Sequence, residues 1–273
     1  MLRDITIGQY YPSDSVLHKL DPRVKLAGTL LFVVSLFPYT NMTVYLITTL
    51  FLILMVTVSK VSWRYILKGL KPVMIIIFFT AFYNVLLTPG KNEIATWGII
   101  HISYAGLRKA FYMVLRLMYL IIGSSLMTYT TTPTKLTDGI EEALKPLNKL
   151  KVPVHEFAMM MSLALRFIPI LMEEANKIIN AQSARGADFE EGKFFERAKN
   201  MVSILIPLLV GATRRANDLA LAMDARCYHG GEGRTKMKPL KYSKRDFAAY
   251  VIICAYFVMV LVCGHYNFLH INM

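Results

Sequence analysis

Acidic side chains are nearly missing from the first half of the chain: between Pro22 and Thr137, Glu93 stands alone. Across all 273 residues only 18% are charged, while 55% are apolar and the mean hydropathy is +0.43. Such a composition excludes an ordinary soluble domain and points to a polytopic membrane protein. No Asp or Glu falls inside an expected span, which removes the usual carrier for proton- or sodium-coupled transport. There are three cysteines, Cys227, Cys254 and Cys263, without Cys-x-x-Cys spacing, so neither a disulfide framework nor a zinc site is expected. The six histidines are scattered, so no metal is assigned. No Gly-x-x-x-x-Gly-Lys-Ser/Thr loop occurs, and no cofactor is implied. Met1 to Leu20 lacks an apolar run, so no cleavable signal peptide is read there.

What is present is basic charge, unevenly placed. The formal net charge is +13, yet no nucleic-acid motif accompanies it, and membrane proteins carry excess Lys and Arg on cytoplasmic loops. Nineteen of the 31 basic residues lie between Thr131 and Arg245, which the positive-inside rule makes cytoplasmic. Apolar runs at Leu26–Phe37, Thr43–Val58, Val73–Leu87, Leu107–Thr128 and Phe247–Phe268 predict five membrane helices. The expected fold class is all-α, with a cytoplasmic N-terminus and an outer C-terminus. Three regions follow: four spans over 1–130, a cytoplasmic coupling region over 131–245 and a last span over 246–273. Lys60, Arg64, Lys68 and Lys71 read as an inner loop, with Trp63 and Tyr65 in the aromatic belt, and Lys91 to Tyr104 as an outer loop. Asp21 and Pro22 read as a cap and first residue of the first helix. Arg116, near the middle of the fourth span, should face protein: Asn84, Ser124 or helix carbonyls. A place at a moving interface is the other reading.

Within the coupling region the chain repeats itself. Glu173-Glu174-Ala175-Asn176 is followed nine residues after Asn176 by Arg185, in Ala184-Arg185-Gly186. Arg214-Arg215-Ala216-Asn217 is followed at the same spacing by Arg226, in Ala225-Arg226-Cys227. Both pairs are 41 residues apart, so one long helix is expected twice, over about Val154–Arg185 and Phe194–Arg226. Each would run about 45 Å. An Arg at a helix C-terminus already suits the macrodipole. Two, each behind Ala and before a small residue, suggest forks held out for a partner's carboxylates or helix-end carbonyls. Glu173 and Glu174 occupy the register of Arg214 and Arg215, so crossed helices would bring opposite charges together; four solvated side chains are the alternative. Met159, Met160 and Met161 read as an adaptable membrane- or partner-facing surface, or as ordinary packing. Gly230-Gly231-Glu232-Gly233 follows a helix and reads as a hinge.

These residues resemble a known family. The entry Leu20-Asp21-Pro22-Arg23-Val24-Lys25, the Thr131-Thr132-Pro133 and Arg166-Phe167-Ile168-Pro169 stretches, and the two Ala-Arg triplets are similar to the transmembrane T component of energy-coupling factor transporters. The second triplet ends in Cys227, where glycine is more usual. The resemblance covers almost the whole chain and implies a non-catalytic prokaryotic cell-membrane subunit. It would join two cytoplasmic ATP-binding-cassette ATPases to a membrane-embedded, substrate-binding S component that captures a vitamin or micronutrient. Arg185 and Arg226, with Ala184, Gly186, Ala225 and Cys227, would each dock into one ATPase. The unlike flanks of the two arginines favour two different ATPases, and the methionine face suits several S components in exchange. A permease of another cassette importer is the alternative, less in keeping with doubled arginine helices; a secondary carrier lacks its carboxylate.

Overall fold

The computed structural model describes residues 10–87, 93–97, 100–187, 194–231, 237 and 239–271. Helix starts need their free N–H groups satisfied, and here one carboxylate serves two of them. Asp21 caps α1 (Pro22–Ser35), accepting from the Arg23 N–H at 2.9 Å with Pro22 in the first turn. The Asp21 N–H itself donates to Asp246 Oδ1 at 2.8 Å. Asp246 is the third residue of α9 (Lys244–Ile271), and its Oδ2 accepts the Ser243 N–H at 2.7 Å and hydroxyl at 2.8 Å. This is the acid's half of a capping box, and the same carboxylate also reaches a second helix. One turn into α1, Lys25 Nζ donates to the Thr130 carbonyl at 2.8 Å and Thr131 Oγ1 at 3.2 Å, holding the end of α5 (Tyr104–Thr130).

Above these ends the helices close on aromatic rings. Phe51, on α2 (Met42–Ser59), stacks on Tyr256 of α9 with centroids 4.0 Å apart, and Phe32 of α1 lies 6.0 Å from Tyr256. The Tyr256 hydroxyl is hydrogen-bonded to Ser35 Oγ at 3.1 Å and Thr48 Oγ1 at 3.2 Å, so the ring's polar tip is satisfied inside the bundle. Gly28 lets α1 approach α9, since a β-carbon there would lie 2.6 Å from Ile253 Cδ1. Arg116 bonds elsewhere than expected: its Nε donates to the Tyr45 hydroxyl at 3.2 Å, and the guanidinium lies 5.8 Å from the Phe37 ring centroid. Ser124 and Asn84 are turned to carbonyls of their own helices, at Leu120 and Thr80, which leaves the tyrosine as the acceptor in reach.

The basic stretch read as a loop is partly helical. Lys60, left-handed with φ 55°, ends α2, and α3 (Trp63–Leu70) follows, burying Ile66 and Leu70 one turn apart. After α4 (Met74–Leu87), the stretch read as an outer loop contains a small antiparallel hairpin, β1 (Glu93–Trp97) with β2 (Ile100–Ser103), pairing Thr96 with His101. Apart from this hairpin the described elements are helical, the architecture expected. Arg108 and Lys109 lie in the second turn of α5. Five helices are long and apolar enough to cross a bilayer: Met42–Ser59, Trp63–Leu86, Tyr104–Thr130, Val154–Ala184 and Lys244–Tyr266. The number agrees with the sequence, but the membership differs. Helix α1 has 14 residues and is too short, whereas Val154–Ala184, read as cytoplasmic, qualifies.

The chain divides into two compact units. One comprises Gly8–Gly139 with Leu240–Met273 and contains the bundle just described. The other includes Ile140–Pro239 and is built on α7 (Val154–Ala184) and α8 (Phe194–Asp224), which pack on each other; α6 (Pro133–Leu144) precedes them. Each has 31 residues, about 46 Å at 1.5 Å per residue, and each contains a proline, Pro169 or Pro207.

Candidate partner-docking site

Every α-helix leaves its last carbonyls without intrahelical partners, and how they are satisfied decides where the chain goes next. At the end of α7 the Ala187 N–H donates to the Gln182 carbonyl at 3.0 Å, and the Gly186 N–H to the Ser183 carbonyl at 3.0 Å. Gly186 is left-handed, with φ 86°. These two bonds and that conformation make a Schellman cap. At the end of α8 the Tyr228 N–H donates to the Met223 carbonyl at 3.1 Å and the Cys227 N–H to the Asp224 carbonyl at 2.9 Å. Cys227 takes the left-handed position with φ 56°. The same closure therefore occurs twice, each atom shifted by the 41 residues of the sequence repeat.

The closure fixes what stands at the tips. Arg185 is the C-cap of α7, with φ −88° and ψ 5°, and Arg226, two residues past the end of α8, precedes the left-handed Cys227 as Arg185 precedes the left-handed Gly186. Ala184, Arg185 and Gly186 are exposed, as are Ala225, Arg226 and Cys227. Among the described residues neither guanidinium has a hydrogen-bond or ion-pair partner. Small neighbours on both sides leave each fork open to a second surface, and the partial negative charge of the helix end keeps the cation in place. Each tip can thus offer a planar donor set to a carboxylate or a row of carbonyls.

Further up, the structure brings Glu174 and Arg215 together: Glu174 Oε2 accepts from Arg215 Nη2, and the two are 41 residues apart. Glu173 and Arg214 point outward and are exposed, with no ion pair among the described residues. Apolar surface is also exposed along both arms. Met160 and Met161 are more than half exposed and Met159 is intermediate; on α8, Met201, Leu205 and Leu209 are exposed. The glycine stretch is described only at Gly230, left-handed with φ 96°, and at Gly231, beside the His155 ring; Glu232, Gly233 and Arg234 lie outside the described residues. His155, in the first turn of α7, bonds through Nδ1 to Glu141 Oε1 at 3.0 Å. Sequence reasoning missed this anchor, since a lone His and Glu fourteen residues apart carry no pattern.

Residues 13–237 match the CbiQ family, described as a cobalt transport protein. The chain is 52% identical over 264 residues to the energy-coupling factor transporter transmembrane protein EcfT of Clostridium kluyveri, covering 96% of each. It is 48% identical to that of Ruminiclostridium cellulolyticum, covering 98% of this chain and all of the relative. To the Bacillus subtilis protein of the same name it is 45% identical, over 92% of this chain and 95% of the relative.

Proposed function

The chain belongs to the CbiQ family, as the transmembrane T component of an energy-coupling factor transporter, and from that premise we propose that Arg185 and Arg226 are the points at which two cytoplasmic ATP-binding-cassette ATPases grip it. One observation carries the reading: the same cap, twice, leaves an exposed and unpartnered guanidinium at the end of a long helix. A single such tip needs no function, because the macrodipole alone favours it. Two at one register match a pair of similar grooves.

On this reading the chain catalyses nothing, and ATP hydrolysis belongs to the ATPases. Their closing and opening moves the tips, and the arms pass that motion to a membrane-embedded S component carrying a vitamin or micronutrient. The exposed methionines of α7, Met160 and Met161 with Met159, suit that second contact, since an unbranched thioether repacks against differing partners. The unlike flanks, Glu173-Glu174 in one arm and Arg214-Arg215 in the other, favour two non-identical ATPases. On this reading the chain lies in a prokaryotic cell membrane with the N-terminus, Arg185 and Arg226 on the cytoplasmic side, and the apolar length of α7 brings the first part of that arm to the bilayer.

Affinity-tagged chain, purified from membranes with its companions, tests this. The native protein should bring down two ATPases and a small membrane protein. The Arg185→Glu, Arg226→Glu double variant should stay in the membrane and lose both ATPases. Retention of both by the double variant would remove the reading.

A further inference from the structure

The unit formed by Gly8–Gly139 and Leu240–Met273 contains a crevice of about 320 Å³ between α1, α2, α5 and α9, separate from the arginine tips. Its depth can be read on four helices at once. It extends from Lys25 to Phe32 on α1, from Val58 to Phe51 on α2, from Thr130 to Gly123 on α5 and from Arg245 to Ile253 on α9. Seven or eight helical residues rise roughly 10–12 Å. Its inner end is closed by the Phe32–Phe51–Tyr256 ring stack. Its walls are apolar and partly open to the outside, where Leu54, Val58 and Ile252 are exposed.

The other end sets two cations, Lys25 and Arg245, beside the apolar Val16, Leu17 and Leu20. Lys25 lines the crevice while only 8% exposed, and among the described residues it makes no ion pair; its Nζ bonds only to neutral oxygens. The nearby acids are engaged elsewhere: Asp246 accepts from Asp21 and Ser243, and Asp21 from Arg23. Arg245, exposed and also without an ion pair among the described residues, lines the same end. Two cations line that end, and the carboxylates of Asp21 and Asp246 are already committed to helix caps and, for Asp21, to Arg23. A buried cation beside an apolar slot is costly unless an anion stands near it.

The geometry points to a bound anionic phospholipid, with one acyl chain in the crevice down to the Phe32–Phe51–Tyr256 floor and its phosphate at Arg245 beside Lys25. Apolar walls of that depth suit a hydrocarbon chain, and the cationic end selects the headgroup's charge. A soluble anion would leave the walls unfilled. A zwitterionic lipid would fill them without answering the charge.

The test uses the full-length chain in mild detergent, stripped of lipid by exchange and titrated with phosphatidylglycerol or phosphatidylcholine under native mass spectrometry. One phosphatidylglycerol per chain should be retained, roughly fivefold more tightly than phosphatidylcholine, in line with one basic side chain near an anionic headgroup. Arg245→Gln should erase that preference, and Lys244→Gln, outside the lining, should keep it. Ala249→Trp fills the slot from α9 and should abolish retention of either lipid, while near-native thermal unfolding without lipid confirms the fold. Equal retention of both lipids by the native chain, retention unchanged in Ala249→Trp, or saturation by glycerol phosphate alone would each overturn the assignment.

Discussion

The two units use the same polar chemistry in opposite directions. In the bundle, Asp21, Lys25 and Asp246 are buried and satisfy one another's helix ends or those of neighbouring helices, with Ser243 bonded to Asp246 at the surface. In the arms, Arg185 and Arg226 are exposed, and the helix-end carbonyls that close each cap are taken by backbone N–H groups and not by the arginines. Buried polar groups must be paired to avoid a desolvation penalty, so the first set should govern stability. Exposed cations contribute little to folding, so the second set should govern association. The lesson is that a charged residue's role follows from whether its backbone surroundings are complete without it.

Several substitutions sharpen or break that contrast. The largest effect is expected at the tips: Arg185→Glu or Arg226→Glu should each cost roughly 2–5 kcal/mol of ATPase binding. The unfolding temperature should not move; a matching fall in Tm would mean the tips belong to the fold. Next is Asp246→Ala, which strands the Asp21 and Ser243 donors and should cost about 3 kcal/mol in thermal unfolding. ATPase retention at low temperature should survive it, and loss of retention without loss of stability would break the contrast.

Between these extremes lies the Glu174–Arg215 pair, whose side chains are 32% and 38% exposed. At that exposure the attraction is worth about 1 kcal/mol or less. Reversing either charge should loosen the arms slightly, as limited proteolysis would show, and reversing both should restore them; no rescue would mean the pair is incidental. The smallest effect is at the caps. Cys227→Gly should be neutral or stabilise by up to about 1 kcal/mol, by relieving a left-handed non-glycine residue. Gly186→Val should destabilise by roughly 1–2 kcal/mol, measured as a shift in unfolding midpoint.

The helical elements were legible because hydropathy runs and proline positions speak directly to the backbone: Asp21 and Pro22 mark the start of α1 where the structure places it. The tips were legible because the 41-residue repeat preserves spacing. What was not legible depends on contacts without periodicity. Asp246 reaching Asp21 links residues 225 positions apart, and nothing local in either segment announces the other. Tyr45 as the acceptor for Arg116 is hidden in the same way. The α3 helix was missed because Arg64 and Lys68 within it and Lys60 and Lys71 on either side carried the stronger signal, while the burial of Ile66 and Leu70 depends on α5 packing beside them. Carbonyls of Gln182, Ser183, Met223 and Asp224 close the caps, and a backbone atom leaves no trace in residue identity.

Cys227 is exposed and stands directly beside Arg226. A thiol therefore already sits at one tip, and Gly186→Cys would install its twin at the other. Dyes or spin labels attached there, once Cys254 and Cys263 are removed, would report the separation of the two ends as a ruler throughout a transport cycle.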